Sequence, residues 1–221
     1  NQTVNLIIRT NKDKLRIKLE LKKFKNDLSK IKFHQILTNR IWIRDSGPLF
    51  LINNKKRKKI ILNFRFNGWA KYSDYQKDDK INVKIAKLIK IKKIEPKIKV
   101  KKNFKKIVLE GGAIDVNGRG SILLTRECLL SKVQERNPGV NKLNLENAFR
   151  KYLNLKNFIW LNKGIKGDDT HGHIDDIARF VSPNTIMAAI EKNKKDKNFK
   201  NLNENLQILK KSSNTNGKKF K

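Results

Sequence analysis

Residues Ile107–Thr125 read IVLEGGAIDVNGRGSILLT: an acid at the end of an apolar run, a glycine-rich stretch, then a second apolar run. Two other segments share this shape, IWIRDSGPLFLIN at Ile41–Asn53 and HGHIDDIARFVSPNTIMAAI at His171–Ile190. Asp45, Glu110 and Asp175 mark corresponding places in the three, and each stands 65 residues from the next. A repeat of this size, with a strand after every acid, predicts an array of mixed strand–helix units. In a propeller-like arrangement the corresponding acids point at one axis and serve one pocket. The chain holds roughly three and a half such periods. An unclosed ring would leave sheet edges bare, so the expectation is an incomplete chain.

Between the acids, strand-like and helix-like runs alternate. VNLIIRT, FHQILT, PLFLIN, KKIILNFRF, KKIVLEGG, GSILLT, LKNFIWL, DIARFV and TIMAAI read as strands. Residues 12–30, 79–91, 144–153 and 203–211 carry apolar residues at three- and four-residue spacing and read as helices. NPG at Asn137–Gly139 and NTNG at Asn214–Gly217 read as turns. The class is α/β or α+β, and 221 residues have the length of one domain or two. No apolar run approaches the ~20 residues needed to span a bilayer. The single cysteine, Cys128, precludes an internal disulfide. Cytoplasmic residence is the expectation, and no membrane partner is expected.

The formal charge is +33, from 53 Lys and Arg against 20 Asp and Glu. Such an excess suits a nucleic-acid binder, whose affinity comes largely from neutralising phosphates. Yet Lys, Asn and Ile are abundant along the whole chain, as an AT-rich coding sequence would produce. The lysines are dispersed over helical or connecting segments, and no zinc knuckle, aromatic RNA-binding signature or clear helix-turn-helix accompanies them. Nucleic-acid binding is therefore the reading of another class, kept behind an enzymatic one.

Against this background GDDTHGHIDD, Gly167–Asp176, gathers four acids and two of the three histidines. On a strand His171 and His173 would share a face, as would His173 and Asp175. Such a set suits a zinc or iron site. It equally suits a metal-free pair in which Asp175 fixes a partner while His173 shuttles protons. A structural role, with His171 and Asp168 capping a turn, is the third option. If Asp45, Glu110 and Asp175 converge and stay ionised, they need a cation among them. A metal would serve, and so would a guanidinium, whose planar fork of donors matches several carboxylates. Trp42, three residues before Asp45, is placed either to lie against a flat cation or to fill the core.

FHQILTNRIWIRDSGPLFLI, FRFNGWAKY, VLEGGAIDVNGRGSILLTRECLLSKVQERNPG and GDDTHGHIDDIARFVSPNT together resemble the agmatine deiminase branch of the guanidine-modifying superfamily, which also holds arginine and peptidylarginine deiminases. The resemblance covers nearly the whole chain and keeps the motif order. It implies a five-bladed α/β propeller (the pentein fold), here incomplete, with residues 1–221 forming one catalytic domain cut short at the C-terminus and at the N-terminus. It also implies hydrolysis of agmatine to N-carbamoylputrescine and ammonia, on the route to putrescine, without a cofactor or metal. Asp45 of W-x-R-D-x-G-P and Asp175 of G-H-I-D match the residues that grip the guanidinium, Trp42 the aromatic contact, Glu110 of E-G-G an acidic substrate contact, and His173 the general acid–base. His171 receives no role. The partner implied is a small cationic guanidine, and a homo-oligomer is compatible with the family.

The family's nucleophilic cysteine lies near its C-terminus in a glycine-rich segment ending in His-Cys, which is not present in this chain. Cys128, in the apolar TRECLLSK, reads as a packing residue. The 221-residue polypeptide is therefore expected to be a fragment without activity. An arginine or peptidylarginine deiminase is the runner-up, and would add a cation near the pocket mouth for the α-carboxylate. A metal hydrolase using His171, His173 and Asp175 would leave RDSGP and LEGG without a role.

Overall fold

The computed structural model describes residues 2–53, 56 and 58–221. Among these residues twelve strands run β1 Val4–Ile8, β2 Ile31–Gln35, β3 Leu49–Asn53, β4 Lys58–Leu62, β5 Lys93–Ile94, β6 Lys97–Val100, β7 Asn103–Lys106, β8 Asp115–Val116, β9 Ser121–Thr125, β10 Asn157–Leu161, β11 Ala178–Ser182 and β12 Thr185–Ala188. Six helices accompany them: α1 Asn11–Lys23, α2 Ile43–Ser46, α3 Ile81–Leu88, α4 Arg126–Leu130, α5 Lys142–Leu153 and α6 Phe199–Lys211.

The same small topology occurs twice in full and a third time in part. β3 and β4 pair antiparallel, and β5 returns across α3 to lie parallel to β4. β8 and β9 pair antiparallel, and β10 returns across α5 parallel to β9. β11 and β12 pair antiparallel, and beyond α6 the Lys221 amide bonds to Asn184 O while its carbonyl accepts from Ile186 N. The repeat read from the acids is thus a structural unit: hairpin, helix, parallel strand. A further parallel pair, β1–β2 around α1, precedes the three.

The cores explain why these segments fold locally. SILLT of β9 is buried at all five positions because it lies between β8 and β10. Leu145, Ala148 and Phe149 of α5, at helical spacing, pack on that sheet. α5 starts on a reciprocal cap between Asn141 and Asn144 and ends at Asn154, whose φ of 54° is left-handed. A second cluster joins Leu123, Ile159 and Leu161 to Ile174, Ile177 and α6. By contrast α1, although closed by a Thr10–Asp13 capping box, buries none of its residues.

Three expectations need correction. The helix read over 12–30 stops at Lys23, because Lys25 turns left-handed and Asp27 caps a separate 3-10 turn at Leu28–Lys30. KKIVLEGG is not a strand throughout. β7 ends at Lys106, and Val108 then bridges only to Arg65 on one side while the Asn137 side chain satisfies its N–H and C=O on the other, both at 2.9 Å. The lysine-rich 93–106 stretch is neither helix nor plain connection. Lys97–Val100 alternates exposed and inward positions, with Ile98 buried, and forms a hairpin with β7. Both predicted turns close, Val140 N onto Asn137 O and Gly217 N onto Asn214 O. No helix among the described residues is long and apolar enough to cross a membrane.

Candidate active site

Asp45 is carried by the short helix α2, just before β3, and is buried. Each of its two oxygens accepts one hydrogen bond and keeps a free lone pair: Gly112 N donates to Oδ1 at 3.0 Å and Trp69 Nε1 donates to Oδ2 at 3.1 Å. Trp69 reaches it from a turn in which Gly68, Trp69 and Ala70 all have φ between 52° and 65°. Glu110 sits at the corresponding corner before β8 and has no exposed surface. Its Oε1 accepts from Arg136 Nε at 3.2 Å, in an ion pair whose two side chains are both fully buried.

His173 and Asp175 come from a turn, and the strand geometry considered for them does not hold. Asp168 organises that turn, its carboxylate accepting from Thr170 N, Thr170 Oγ1, Gly172 N and His173 N. A 3-10 turn over Ile174–Asp176 then brings Asp175 back beside His173. His171, with φ 62°, faces Ser131 Oγ at 3.0 Å and does not share the side of His173. So Asp168, and not His171, caps the turn.

These elements place His173 at the centre of the three acids. Its Nδ1 lies 3.8 Å from Asp45 Oδ1 and 3.9 Å from Asp175 Oδ1, and its Nε2 lies 3.7 Å from Glu110 Oε2. The three acids that the repeat put in register therefore surround one imidazole. Burial alone would push His173 down, but Glu110, Asp45 and Asp175 outweigh it and raise the imidazole above its ordinary value. Burial likewise opposes the charge on Glu110, yet His173 and Arg136 hold its carboxyl below the ordinary range. Asp45 moves the other way. Its burial, reinforced by Glu110 and resisted by His173, raises it.

The imidazole opens on a cavity of about 430 Å³ whose lining includes Trp42, Asp45, Trp69, Asp175, Arg40 and Arg44. Trp42 is 58% exposed on its wall, so the core role considered for it is excluded; Trp69 and Trp160 are the buried tryptophans. Both lining arginines are paired: Arg40 to Asp74, and Arg44 through Nε to Asp175 Oδ2 at 3.1 Å. Asp169, held by Lys71 and by Tyr72 Oη, ties the His173 loop to the Trp69 turn. Sequence reasoning missed Arg136, Trp69 and Asp169. QERNPG, FNGWAKY and GDDTHGHIDD contained them, but nothing local marks a residue that acts through a distant loop.

Among the described residues, the group able to offer ligand atoms to a metal within 4.8 Å of one another is Glu110, Cys128 and His173. It is a different set from the His171, His173 and Asp175 considered from spacing, and Arg136 already occupies the other oxygen of Glu110. Cys128 is buried, and that burial, with Glu110 nearby, pushes its thiol well above the ordinary value. A thiol in that state is a poor nucleophile.

The sequence of the Porphyromonas-type peptidyl-arginine deiminase family matches residues 1–221. A Legionella pneumophila (strain Paris) protein, provisionally named an agmatine deiminase, is 37% identical over 183 residues, covering 82% of this chain and 49% of its own. The chain spans about half the length of the curated relatives it matches. Among solved structures, agmatine deiminase of Enterococcus faecalis superposes with a TM-score of 0.81 at 26% identity, over 98% of this chain and 56% of that one. A cysteine-to-serine variant of C. jejuni agmatine deiminase with substrate bound gives a TM-score of 0.78 at 34% identity, over 95% and 57%. The α/β fold is that of the agmatine deiminase structures. On the whole-length match and on these relatives, the chain belongs to the Porphyromonas-type peptidyl-arginine deiminase family, as an agmatine deiminase-like member of the guanidine-modifying superfamily.

Proposed function

We propose that the cavity binds the guanidinium of agmatine and that the chain is the guanidinium-binding part of an agmatine deiminase. The observation that carries this reading is the convergence of Asp45, Glu110 and Asp175, from three corresponding corners, on His173 beside an open cavity. Asp45 and Asp175, both on the Nδ1 side of the ring, receive the guanidinium nitrogens. Glu110 supports the ring from its Nε2 side. Trp42 flanks the flat cation. Both arginines lining the cavity are engaged by acids, which favours agmatine over arginine, whose α-carboxylate would need a cation.

In this reading a thiolate attacks the guanidinium carbon, forming a C–S bond. His173 protonates the departing nitrogen and ammonia leaves. Water then attacks the thiouronium carbon and gives its proton to His173. The C–S bond breaks, releasing N-carbamoylputrescine, a precursor of putrescine, and the thiolate. Cys128 does not serve, being buried and hard to ionise, so the thiol comes from sequence beyond these 221 residues, within a five-bladed ring of which this single domain is a part. The relatives' roughly twofold greater length supports that assignment.

The test is calorimetric titration of the 221-residue chain with agmatine and with arginine, alongside an ammonia assay. Agmatine should bind, Asp45→Asn should weaken it roughly 10- to 100-fold, as for one charge-assisted hydrogen bond, and no ammonia should appear. Arginine binding as tightly as agmatine would favour the arginine deiminase reading. Binding of neither would sink the guanidinium site, and turnover by this chain would return Cys128 to the mechanism.

A further inference from the structure

Two buried polar atoms of the site have no hydrogen-bond partner, Glu110 Oε2 and His173 Nε2. They face each other at 3.7 Å, too far for a hydrogen bond yet close enough for one proton to be held by either. In a dry site, a carboxylate beside an imidazolium competes with the uncharged alternative, a carboxylic acid beside a neutral imidazole. Something must decide between them. Behind Glu110 lies a guanidinium with no exposed surface, Arg136, whose Nε donates to Oε1. Its other donors go to main-chain carbonyls, Nη1 to Gln134 O at 3.1 Å and Nη2 to Thr170 O. Thr170 belongs to the turn that Asp168 organises and that ends at His173. Arg136 thus holds the acid with one edge and the loop of its partner with another.

We propose that Arg136 is a positioning residue that keeps the Glu110–His173 pair charge-separated, with the shared proton on His173, and fixes the loop that presents the imidazole. The other groups facing the ring cannot do this alone. Asp45 and Asp175 lie on the Nδ1 side and favour imidazolium, but they also oppose a third carboxylate at Glu110. Cys128, in the same cluster, is held as a thiol and offers no cation. Among the described residues, only Arg136 supplies positive charge to Glu110 from the side away from His173. Removing a bystander cation would tighten the proton on the imidazole. Removing Arg136 should instead move that proton to the carboxyl.

The inference rests on the proposed guanidinium site only in giving that proton a chemical use, and its test needs no substrate. The chain has three histidines, so ring 13C and 15N resonances can be assigned with a His173→Gln control. At pH 6.5 the wild-type chain should show imidazolium at residue 173 and an ionised Glu110 by its carboxyl 13C shift. In Arg136→Met the ring should become neutral and the Glu110 carboxyl protonated. Arg136→Lys, which keeps a cation, should restore the wild-type pattern. A folded Arg136→Met chain that retains both charges would overturn the proposal. So would a wild-type chain with neutral His173 beside protonated Glu110, or a folded Arg136→Lys chain with that uncharged pair, and neither depends on Arg136→Met folding. Failure of agmatine to bind would leave all of these readings intact.

Discussion

Gly112 is where a single atom decides the site. A Cβ there would stand 2.3 Å from His173 Nδ1 and 2.7 Å from Asp45 Oδ1, displacing the imidazole and one of the carboxylates proposed to receive the substrate. Gly112→Ala should therefore abolish agmatine binding in calorimetry and lower stability by about 1–3 kcal/mol. The charges of the site also set a pH window. His173 is raised, so its stabilisation is complete below the ordinary histidine value of 6.5 and fades as pH rises through the folded value. Glu110 is lowered, so its stabilisation is complete above the ordinary 4.5 and fades as pH falls through the folded value. Both are present between. Thermal melts of wild type and His173→Gln should differ most below pH 6.5 and converge on the alkaline side. A gap that widens with pH would contradict the imidazolium.

At the scale of elements, the lead-in to Glu110 is held by a side chain in place of a strand. Asn137 pairs with both polar groups of Val108, and Arg65 takes the other side with bridges through Ile107 and Leu109. The turn read at NPG therefore has a second duty, because its first residue fixes the stretch just before Glu110. Asn137→Ala would leave two half-buried main-chain groups without their protein partner. It should cost about 2–4 kcal/mol by urea unfolding, at 1–2 kcal/mol for each lost partner. A loss under 0.5 kcal/mol would mean that water replaces the amide. The lysine-rich hairpin shows the opposite lesson. Its Lys–Ile–Lys–Val alternation is a strand pattern only four residues long, set in a run of lysines that masks it.

Across the whole molecule, stability is unevenly spread. β9 is buried throughout and joins both core clusters, whereas α1 buries nothing and rests with β1 and β2 at one end. Hydrogen exchange should find the β9 and β10 amides the most protected and those of α1 the first to exchange. Equal protection in the two would show that the Val4–Gln35 unit is held by contacts other than burial.

The sequence by itself determined the repeat, the α/β class and the three acids in register, because a repeated unit writes the same strand pattern and corner residue each time it occurs. It also carried His173, whose neighbours form a recognisable motif. What only the tertiary structure decided was which side each group of the turn faces, His171 outward and His173 inward. The structure likewise recruited Trp69, Asp169 and Arg136. The physical reason is that a buried charge is controlled by whatever cation or dipole the fold brings against it, and here that partner sits 26 residues from Glu110 along the chain and reaches a loop 34 residues further on. Local pattern encodes an element; the balance of charge in a dry site is set between elements.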